Sequence, residues 1–269
     1  MIRLAALQTT GTLADVAANL AELTAAAAEA AAAGADLLVT PEMFVSGYAV
    51  EGRLEALAAE EFLDPVRALA RRLGLAIVLG GPEKGQEGVY NSAWFVDDRG
   101  GVTAVYRKAH LFDDMDRRLF VAGEQPFAMV EHRGVRIALM ICYDVEFPEV
   151  VRAAALQGAH LVAVPTAQMR PFEFVAEAVV RTRAWENGVY VAYVNHDGTE
   201  GDLEYVGRSS IVAPDATVID SVVHGTRLLY ADIDPVEVQR LQEENPYLAD
   251  RRAGLYTALA AAPQELSSE

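Results

Sequence analysis

Residues 34–41 read GADLLVTP and residues 158–165 read GAHLVAVP, so a Gly-Ala pair, a short apolar run and a proline occur twice. A short apolar run that stops at a proline is typical of a buried strand. The upstream segments also match, since residues 2–7 read IRLAAL and residues 135–140 read VRIALM. Each half of the chain therefore predicts a strand, a helix, the Gly-Ala pair, a second strand and a proline.

Apolar runs alternate with alanine-rich helical stretches in both halves, which is typical of an α/β protein. The predicted helices cover residues 15–33, 53–73 and 172–187. Further predicted strands cover residues 75–80, 89–96, 102–106, 189–194, 209–212, 217–222 and 228–233. Two related halves of this kind predict two sheets packed face to face with helices outside them, a four-layer α-β-β-α sandwich with two pseudo-repeated halves.

The halves are not separated by a Ser/Gly/Pro-rich linker, so residues 1–269 predict a single domain. Residues 245–252 read NPYLADRR and break the periodic pattern. We expect an extended C-terminal tail from about residue 245, lying on the protein itself or on a partner subunit.

Composition excludes several classes of protein. Hydrophobic residues make up 52% and charged residues 23% of the 269 residues, which argues against disordered, collagen-like and disulfide-scaffold chains. The 22 Lys and Arg against 39 Asp and Glu give a net charge of −17. Nucleic acid or an anionic membrane needs a basic face, so we expect neither as a partner.

The single cysteine, Cys142, excludes an intramolecular disulfide and a cysteine-rich zinc site. One cysteine in an acidic chain suits a reducing cytosol. The first residues resemble a strand rather than a signal peptide, and residues 25–35 are too few to span a bilayer. We therefore expect a cytoplasmic protein.

Three chemically capable residues follow predicted strands, where reactive residues of α/β sheets gather. Glu42 follows the strand that ends at residues 39–41, Lys108 follows residues 105–107, and Cys142 ends the strand over residues 137–141. If the repeat holds, we expect Glu42 and Cys142 on neighbouring strands of one layer. Taken singly, each has an ordinary explanation, as a capping carboxylate, a surface charge and a small core residue respectively.

Together the three residues make a chemically complete set. A thiol with its ordinary pKa of about 8.5 is mostly protonated at neutral pH and needs a base or a cation to react. Glu42 supplies a base and Lys108 a cation. Pro148 suits the first turn of a following helix, whose N-terminus would add positive potential near Cys142. The Tyr143 N–H is then aimed where an oxyanion donor is needed.

Other chemistries have weaker support. A Cys–His–Asn scheme would use His196 beside Asn195, but it leaves Glu42 and Lys108 without a role. The five histidines show no i,i+4 pair and no paired Asp/Glu ligand motif, so no metal is predicted. Glycine-rich phosphate loops are also absent from the sequence, so we predict no cofactor.

Four blocks carry a resemblance to a known family. Residues 41–48 (PEMFVSGY), 106–112 (YRKAHLF) and 141–149 (ICYDVEFPE) resemble the three signature blocks of the nitrilase superfamily of carbon–nitrogen hydrolases, and residues 183–188 (RAWENG) resemble a further segment. The resemblance covers residues 2 to about 252. It implies an α-β-β-α sandwich, a catalytic triad of Glu42, Lys108 and Cys142, and a homodimer or higher homo-oligomer. A second carboxylate is also implied, here Asp116, with Asp114 as the alternative.

Within the superfamily the sequence is most similar to aliphatic amidases of the 5-aminopentanamidase type, in residues 110–117, 164–169, 204–211 and 246–250. This implies an amidase that cleaves a small aliphatic primary amide, with ω-amino amides as one option, through a cysteine thioester. Candidate pocket-wall residues are Tyr48, Thr166 and Met169, beside Tyr143.

Two alternatives stay open at this stage. The same triad serves nitrilases and N-carbamoyl amino acid hydrolases, and a non-catalytic interaction protein on this scaffold is the alternative from another class. Five acidic residues lie in segments that could face the entrance of the active site and bind a cationic amine of the substrate. A net charge of −17 makes acidic loops common in this chain, however. The five residues are Asp113, Asp114, Glu146, Asp197 and Asp202.

Overall fold

A computed structural model describes residues 1–260 of the chain. Its strands are β1 (Ile2–Gln8), β2 (Leu37–Val39), β3 (Ala76–Lys84), β4 (Val89–Val96), β5 (Val102–Arg107), β6 (Ala128–His132), β7 (Val135–Leu139), β8 (Leu161–Thr166), β9 (Tyr190–Asn195), β10 (Asp197–Glu200), β11 (Leu203–Val206), β12 (Ser209–Val212), β13 (Val218–Val222) and β14 (Arg227–Ile233). Its α-helices are α1 (Val16–Ala32), α2 (Leu54–Ala58), α3 (Leu63–Leu73), α4 (Asp113–Leu119), α5 (Pro148–Leu156), α6 (Val180–Asn187) and α7 (Pro235–Glu244). A π-helical turn, Val175–Val179, leads into α6.

Two six-stranded sheets form the centre of the fold. The first has the order β14-β1-β2-β3-β4-β5 and the second the order β13-β12-β9-β8-β7-β6. The sheets pack face to face, with β1 against β9 and β3 against β8. The α/β fold and its two flanked sheets are therefore confirmed.

The repeat seen in the sequence corresponds to matching strand order in the two sheets. β1, β2 and β3 run parallel, as do β7, β8 and β9. In each sheet an antiparallel strand flanks this set, β14 beside β1 and β6 beside β7. Leu4 lies opposite Leu37 in the first sheet, as Ile137 lies opposite Leu161 in the second.

Both faces of the central strands are buried, because each sheet is covered by the other sheet on one side and by helices on the other. Along β1, Leu4 and Ala6 belong to the core between the sheets. Ala5 and Leu7 between them belong to the core beneath α1 and α3. This two-sided burial explains why the strands read as continuous apolar runs rather than as alternating patterns.

The helix predicted over residues 53–73 is wrong in one respect, since the chain forms two helices, α2 and α3. A helix interior excludes proline, which lacks the N–H and clashes with the preceding turn. Starting a new helix at Leu63 puts Pro65 in its first turn. The break also buries Phe62, whose ring lies edge-on to Trp94 at 5.4 Å.

Beyond residue 245 the chain forms two short 3-10 helices, Ala253–Leu255 and Thr257–Ala260. Tyr247 and Tyr256 line a groove with α5. Residues 247–259 therefore lie beside α5 in this structure, and residues 261–269 of the predicted tail lie outside the described residues. Across residues 1–260, every helix is too short or too polar to cross a bilayer.

Gly80 in β3 matters for the position of the first predicted site residue. A Cβ at Gly80 would lie 2.1 Å from the carbonyl oxygen of Pro41 and 3.1 Å from the Cα of Glu42. Only glycine therefore allows the chain after β2 to lie directly on β3. Gly80 therefore serves close backbone packing, while a Cβ at Gly81 would lie 3.1 Å from the Val45 side chain.

Candidate active site

Glu42 lies where the chain leaves β2 and crosses to the second sheet. Its backbone N–H donates to the Thr166 carbonyl at 3.3 Å, and its carbonyl oxygen lies 2.7 Å from Nε2 of His196. A carbonyl only accepts, so this nitrogen of His196 carries the proton. Met43 follows with a positive φ of 52°. These backbone contacts hold Glu42 at the interface between the two sheets.

Lys108 lies at the centre of a buried charge cluster. Its Nζ donates to Oε1 of Glu42 and to Oδ2 of Asp116, both at 2.8 Å. All three side chains are buried. Asn91 on β4 donates to the same Glu42 oxygen at 2.6 Å, whereas Oε2 of Glu42 has no hydrogen-bond partner among the described residues. That oxygen is the one free to take a proton.

Tyr48 connects this cluster to the β10–β11 hairpin. The Tyr48 hydroxyl donates to Oδ1 of Asp116, and its backbone N–H donates to Oε2 of Glu200 at 2.7 Å. Glu200 is buried and also accepts from the Tyr205 hydroxyl at 3.1 Å. Glu200 and Asn91 are not among the site residues predicted from the sequence. Both lie on strands far from the recognised blocks, and no local pattern marks them.

Cys142 lies in the turn after β7 with a φ of 47°, a conformation that residues other than glycine rarely adopt. Its side chain is 7% exposed, and Sγ lies 3.6 Å from Oε1 of Gln168. Cys142 begins a 3-10 helix, Cys142–Glu146, and the first N–H groups of a helix have no partner within it. The Tyr143 N–H is one of them.

Asp144 joins the cysteine turn to the lysine turn. Its carboxylate is buried and accepts from the Ile141 N–H at 3.0 Å and from the Tyr106 hydroxyl at 2.8 Å. It also lies 2.8 Å from Nδ1 of His110. One side chain thus fixes the segments on both sides of the cavity, and no pattern in the sequence predicted this role of Asp144.

A small cavity opens onto these groups. Its lining residues are Tyr48, Lys108, Phe112, Cys142, Tyr143, Glu146, Ala167, Gln168, Met169 and Phe172. Phe112 lies edge-on to Tyr143 at 5.2 Å and to Phe172 at 5.5 Å. The cavity therefore has a polar end at Lys108 and Cys142 and an aromatic wall, as expected of a site for a small molecule.

Burial and neighbouring charges raise the pKa values of Cys142, Glu42 and Lys108. Burial raises the pKa of Cys142, and the Glu42 carboxylate raises it further, while Lys108 opposes both. Burial also raises the pKa of Glu42 against the pull of Lys108. Burial alone would lower the pKa of Lys108, but Glu42, Tyr48 and Asp116 raise it well above its usual range. The resting thiol is therefore protonated beside a carboxylate that binds protons readily and a permanent cation.

The structure brings most of the predicted site residues together. Tyr48, Tyr143 and Met169 line the cavity. Thr166 does not line it, because its hydroxyl donates to the Val164 carbonyl within the buried strand β8. Asp116 contacts Lys108, as described above.

The side chain of Asp114 is exposed to solvent. Its side chain is 83% exposed and lies beside Arg117. The two aspartates are two residues apart on α4, so they cannot share a helix face. The geometry therefore favours Asp116 as the second carboxylate.

The expectation that Glu42 and Cys142 lie on neighbouring strands of one layer is wrong. β2 belongs to the first sheet and β7 to the second. Each half of the repeat builds its own sheet, so the ends of β2 and β7 lie on different sheets. The two side chains approach across the packed sheets.

His196 and Asn195, the members of the alternative scheme, have other contacts. His196 bonds the Glu42 backbone, and the Asn195 carboxamide oxygen accepts from the Gln168 N–H at 2.8 Å. Of the five acidic residues considered for the entrance, only Glu146 lines the cavity. Among residues 1–260, no group of three or more His, Cys, Asp or Glu side chains is arranged to hold a metal ion.

Comparison with known proteins gives consistent matches over nearly the whole chain. The model of the carbon-nitrogen hydrolase family matches residues 3–243. A Pseudomonas protegens protein described as "Hydrolase in pqqF 5'region" is 42% identical, over 91% of this chain and 87% of its own. A Pseudomonas sp. protein described as "(R)-stereoselective amidase" is 37% identical, over 81% of this chain and 80% of its own.

The fold is also similar to that of an amidase from Nesterenkonia sp. AN1. One solved structure of a variant of that amidase has a TM-score of 0.88 and 36% identity, covering 96% of this chain and 100% of the other. It is described as showing the result of Michael addition of acrylamide at the active-site cysteine. Another structure of the amidase is a complex with butyramide.

The charges around Cys142 predict how its thiol titrates. We expect alkylation of the wild-type protein by iodoacetamide to keep accelerating above pH 8.5, the ordinary pKa of cysteine, since burial and Glu42 raise the pKa of the thiol. In Glu42→Gln the repelling carboxylate is gone and Lys108 remains, so the titration should move to lower pH. Intact mass against pH measures this cleanly, because Cys142 is the chain's one cysteine.

Asp114→Asn is the matched control, because it removes one negative charge from an exposed position. It should leave the titration of Cys142 in place. A Glu42→Gln titration that stays unchanged or moves to higher pH would contradict the described electrostatics.

Proposed function

Because the chain belongs to the carbon-nitrogen hydrolase family, and is an amidase-type hydrolase, we propose that it hydrolyses small aliphatic primary amides to a carboxylic acid and ammonia. The observation that carries this proposal is the contact of Lys108 with Glu42 and Asp116 at the cavity that Cys142 lines. Variants of the Nesterenkonia amidase are described in complex with butyramide and with acrylamide added at the active-site cysteine, and both compounds are small primary amides.

We assign the first half of the reaction to acyl transfer onto Cys142. Oε2 of Glu42 takes the thiol proton, and the sulfur attacks the amide carbonyl carbon. Lys108 and the Tyr143 N–H stabilise the negative charge that develops on the carbonyl oxygen. Glu42 then passes its proton to the leaving nitrogen, the C–N bond breaks, and ammonia departs from the thioester.

The second half returns the site to its starting state. Glu42 accepts a proton from a water molecule as that water attacks the thioester carbonyl. The C–S bond breaks, the proton returns to the sulfur, and the acid is released. One base serves both halves, which suits a carboxylate whose pKa is raised by burial.

Ammonia release from a panel of compounds tests the function. We expect the wild-type protein to release ammonia from short aliphatic amides and not from nitriles or N-carbamoyl amino acids. Cys142→Ala should release none, and Lys108→Met should lose roughly a hundredfold or more in rate with one oxyanion donor gone. Intact mass after rapid quenching should reveal the thioester on the wild-type protein.

Two results would contradict the proposal. A response to nitriles alone would assign the nitrilase reaction instead. Ammonia release by folded Cys142→Ala from an amide that the wild type cleaves would remove Cys142 from the reaction.

We also propose that Asp116 holds Lys108 in its working position. Asp116→Asn keeps the shape of the side chain but removes one of the two carboxylates that bind the ammonium group. We expect kcat to fall about a hundredfold, as for a slightly misplaced catalytic group, with a small change in KM. Asp114→Asn on the same helix should keep wild-type kinetics, and equal losses in both variants would contradict the assignment.

We propose finally that the protein forms a homodimer through the groove between α5 and the C-terminal segment. Leu156, Tyr256 and Leu259 line this groove and are exposed, as is Trp185 nearby on α6. A contiguous apolar surface of this kind is unusual on a monomer. A second copy that covers it buries apolar area that outweighs the repulsion between two acidic chains.

Sedimentation velocity measures the dimer. Leu156→Asp should shift the protein towards the monomer, because it replaces an apolar side chain of the contact with a charge that would lose its hydration. The control is Val236→Asp, at an exposed position in the first turn of α7 where an acidic residue is tolerated. A wild-type monomer, or a dimer that Leu156→Asp leaves intact, would refute this interface.

A further inference from the structure

Glu200 is a buried carboxylate that the proposed reaction does not use. It ends β10 and is 4% exposed. Its Oε2 accepts from the backbone N–H groups of Tyr48 at 2.7 Å and of Ala49 at 3.0 Å, and from the Tyr205 hydroxyl at 3.1 Å. All three donors are uncharged. Because a buried carboxylate is costly unless hydrogen bonds stabilise its charge, these contacts bind the turn that carries Tyr48 firmly to Glu200.

The backbone next to Tyr48 is shaped to receive this carboxylate. Gly47 has a φ of 76°, a conformation that glycine adopts at no steric cost. A Cβ at Gly47 would lie 3.0 Å from Oε1 of Glu200 and 2.8 Å from Cδ1 of Leu13. Any larger residue at position 47 would therefore push the turn and the carboxylate apart.

Tyr48 connects Glu200 to one side of the buried charge cluster. The Tyr48 hydroxyl donates to Oδ1 of Asp116, and Nζ of Lys108 lies 3.5 Å from the same hydroxyl. The other oxygen of Asp116 accepts from Lys108 at 2.8 Å. A displacement of the Tyr48 backbone therefore disturbs contacts of both Asp116 and Lys108.

Tyr205 connects Glu200 to the other side of the cluster. Its ring lies 5.2 Å from the ring of His196, whose Nε2 donates to the backbone carbonyl of Glu42. Glu42 and Asp116 are the two carboxylates that bind Lys108. Glu200 is thus joined, through one tyrosine on each side, to the segments that hold both of them.

We propose that Glu200 is a positioning residue for the hydrolysis of amides, and that it acts through Tyr48 on Asp116 and Lys108. Glu200 itself does not line the cavity. Stabilisation of the charge on the carbonyl oxygen requires that the ammonium group of Lys108 is already oriented when this charge develops. Glu200 supplies part of that orientation from outside the cavity. This inference rests on the proposed function, because it concerns the same reaction.

Glu200→Gln keeps the shape of the side chain but removes its charge, so the hydrogen bonds to the turn become weaker. We expect kcat for a short alkanamide to fall roughly tenfold with little change in KM, since a displacement of about 1 Å can cost a hundredfold in rate. Steady-state kinetics of the full chain, well below the unfolding temperature of each variant, measures both constants.

Asp202→Asn is the matched control, because it removes one negative charge from the exposed turn of the same hairpin. This variant should keep the wild-type kcat and KM. A loss in Asp202→Asn as large as that in Glu200→Gln would show a general effect of charge or of the hairpin, and the inference would be wrong.

A double-mutant cycle tests the route through Tyr48. Tyr48→Phe removes the hydroxyl that contacts Asp116 and should itself lower kcat. Adding Glu200→Gln to Tyr48→Phe should then cost less than about threefold, because residues that act through a shared contact are not additive.

Two results would overturn the inference. The losses of the two single variants could multiply in the double variant, or folded Glu200→Gln could keep the wild-type kcat and lose only thermal stability. In either case the carboxylate does not act through Tyr48 on the reaction. A wild-type protein that cleaves no amide would instead refute the proposed function and this inference with it, so the two failures are distinguishable.

Discussion

The contact on which the whole site depends is the buried ammonium of Lys108 between the carboxylates of Glu42 and Asp116. Removing three charged side chains from water costs several kcal/mol for each, and only their mutual attraction and further hydrogen bonds offset this cost. Asn91 and Tyr48 supply those hydrogen bonds. Each member therefore holds the others, and the loss of one leaves a buried charge without its partner.

Packing between the sheets sets the distance between base and nucleophile. Glu42 follows a strand of the first sheet and Cys142 follows a strand of the second, so no single loop or strand carries both. Hydrogen bonds from the Glu42 backbone to Thr166 and His196 cross the interface between the two sheets. Because Gly80 has no side chain, the Glu42 backbone can pack directly against β3. The apolar core between the sheets thus contributes to the geometry of the site as well as to stability.

The sequence predicted the layers and the central residues because these leave local signals. The repeated Gly-Ala and proline pattern predicted two related sheets, and strand ends predicted where Glu42, Lys108 and Cys142 stand. The repeat relates β1 to β7 and β2 to β8, but it does not show whether β2 and β7 belong to the same sheet, so the shared layer was predicted wrongly. Partners such as Glu200 could not be foreseen, because its contact with the Tyr48 N–H joins residues far apart in sequence.

The charge of the cluster also constrains the order of events in the proposed reaction. With Lys108, Glu42 and Asp116 ionised and Cys142 neutral, the buried groups carry one net negative charge. Loss of the thiol proton to solvent would add a second negative charge to a site that burial already makes unfavourable for anions. Transfer of that proton to Glu42 keeps the total constant. In the proposed reaction the proton therefore stays within the cluster until the leaving nitrogen takes it.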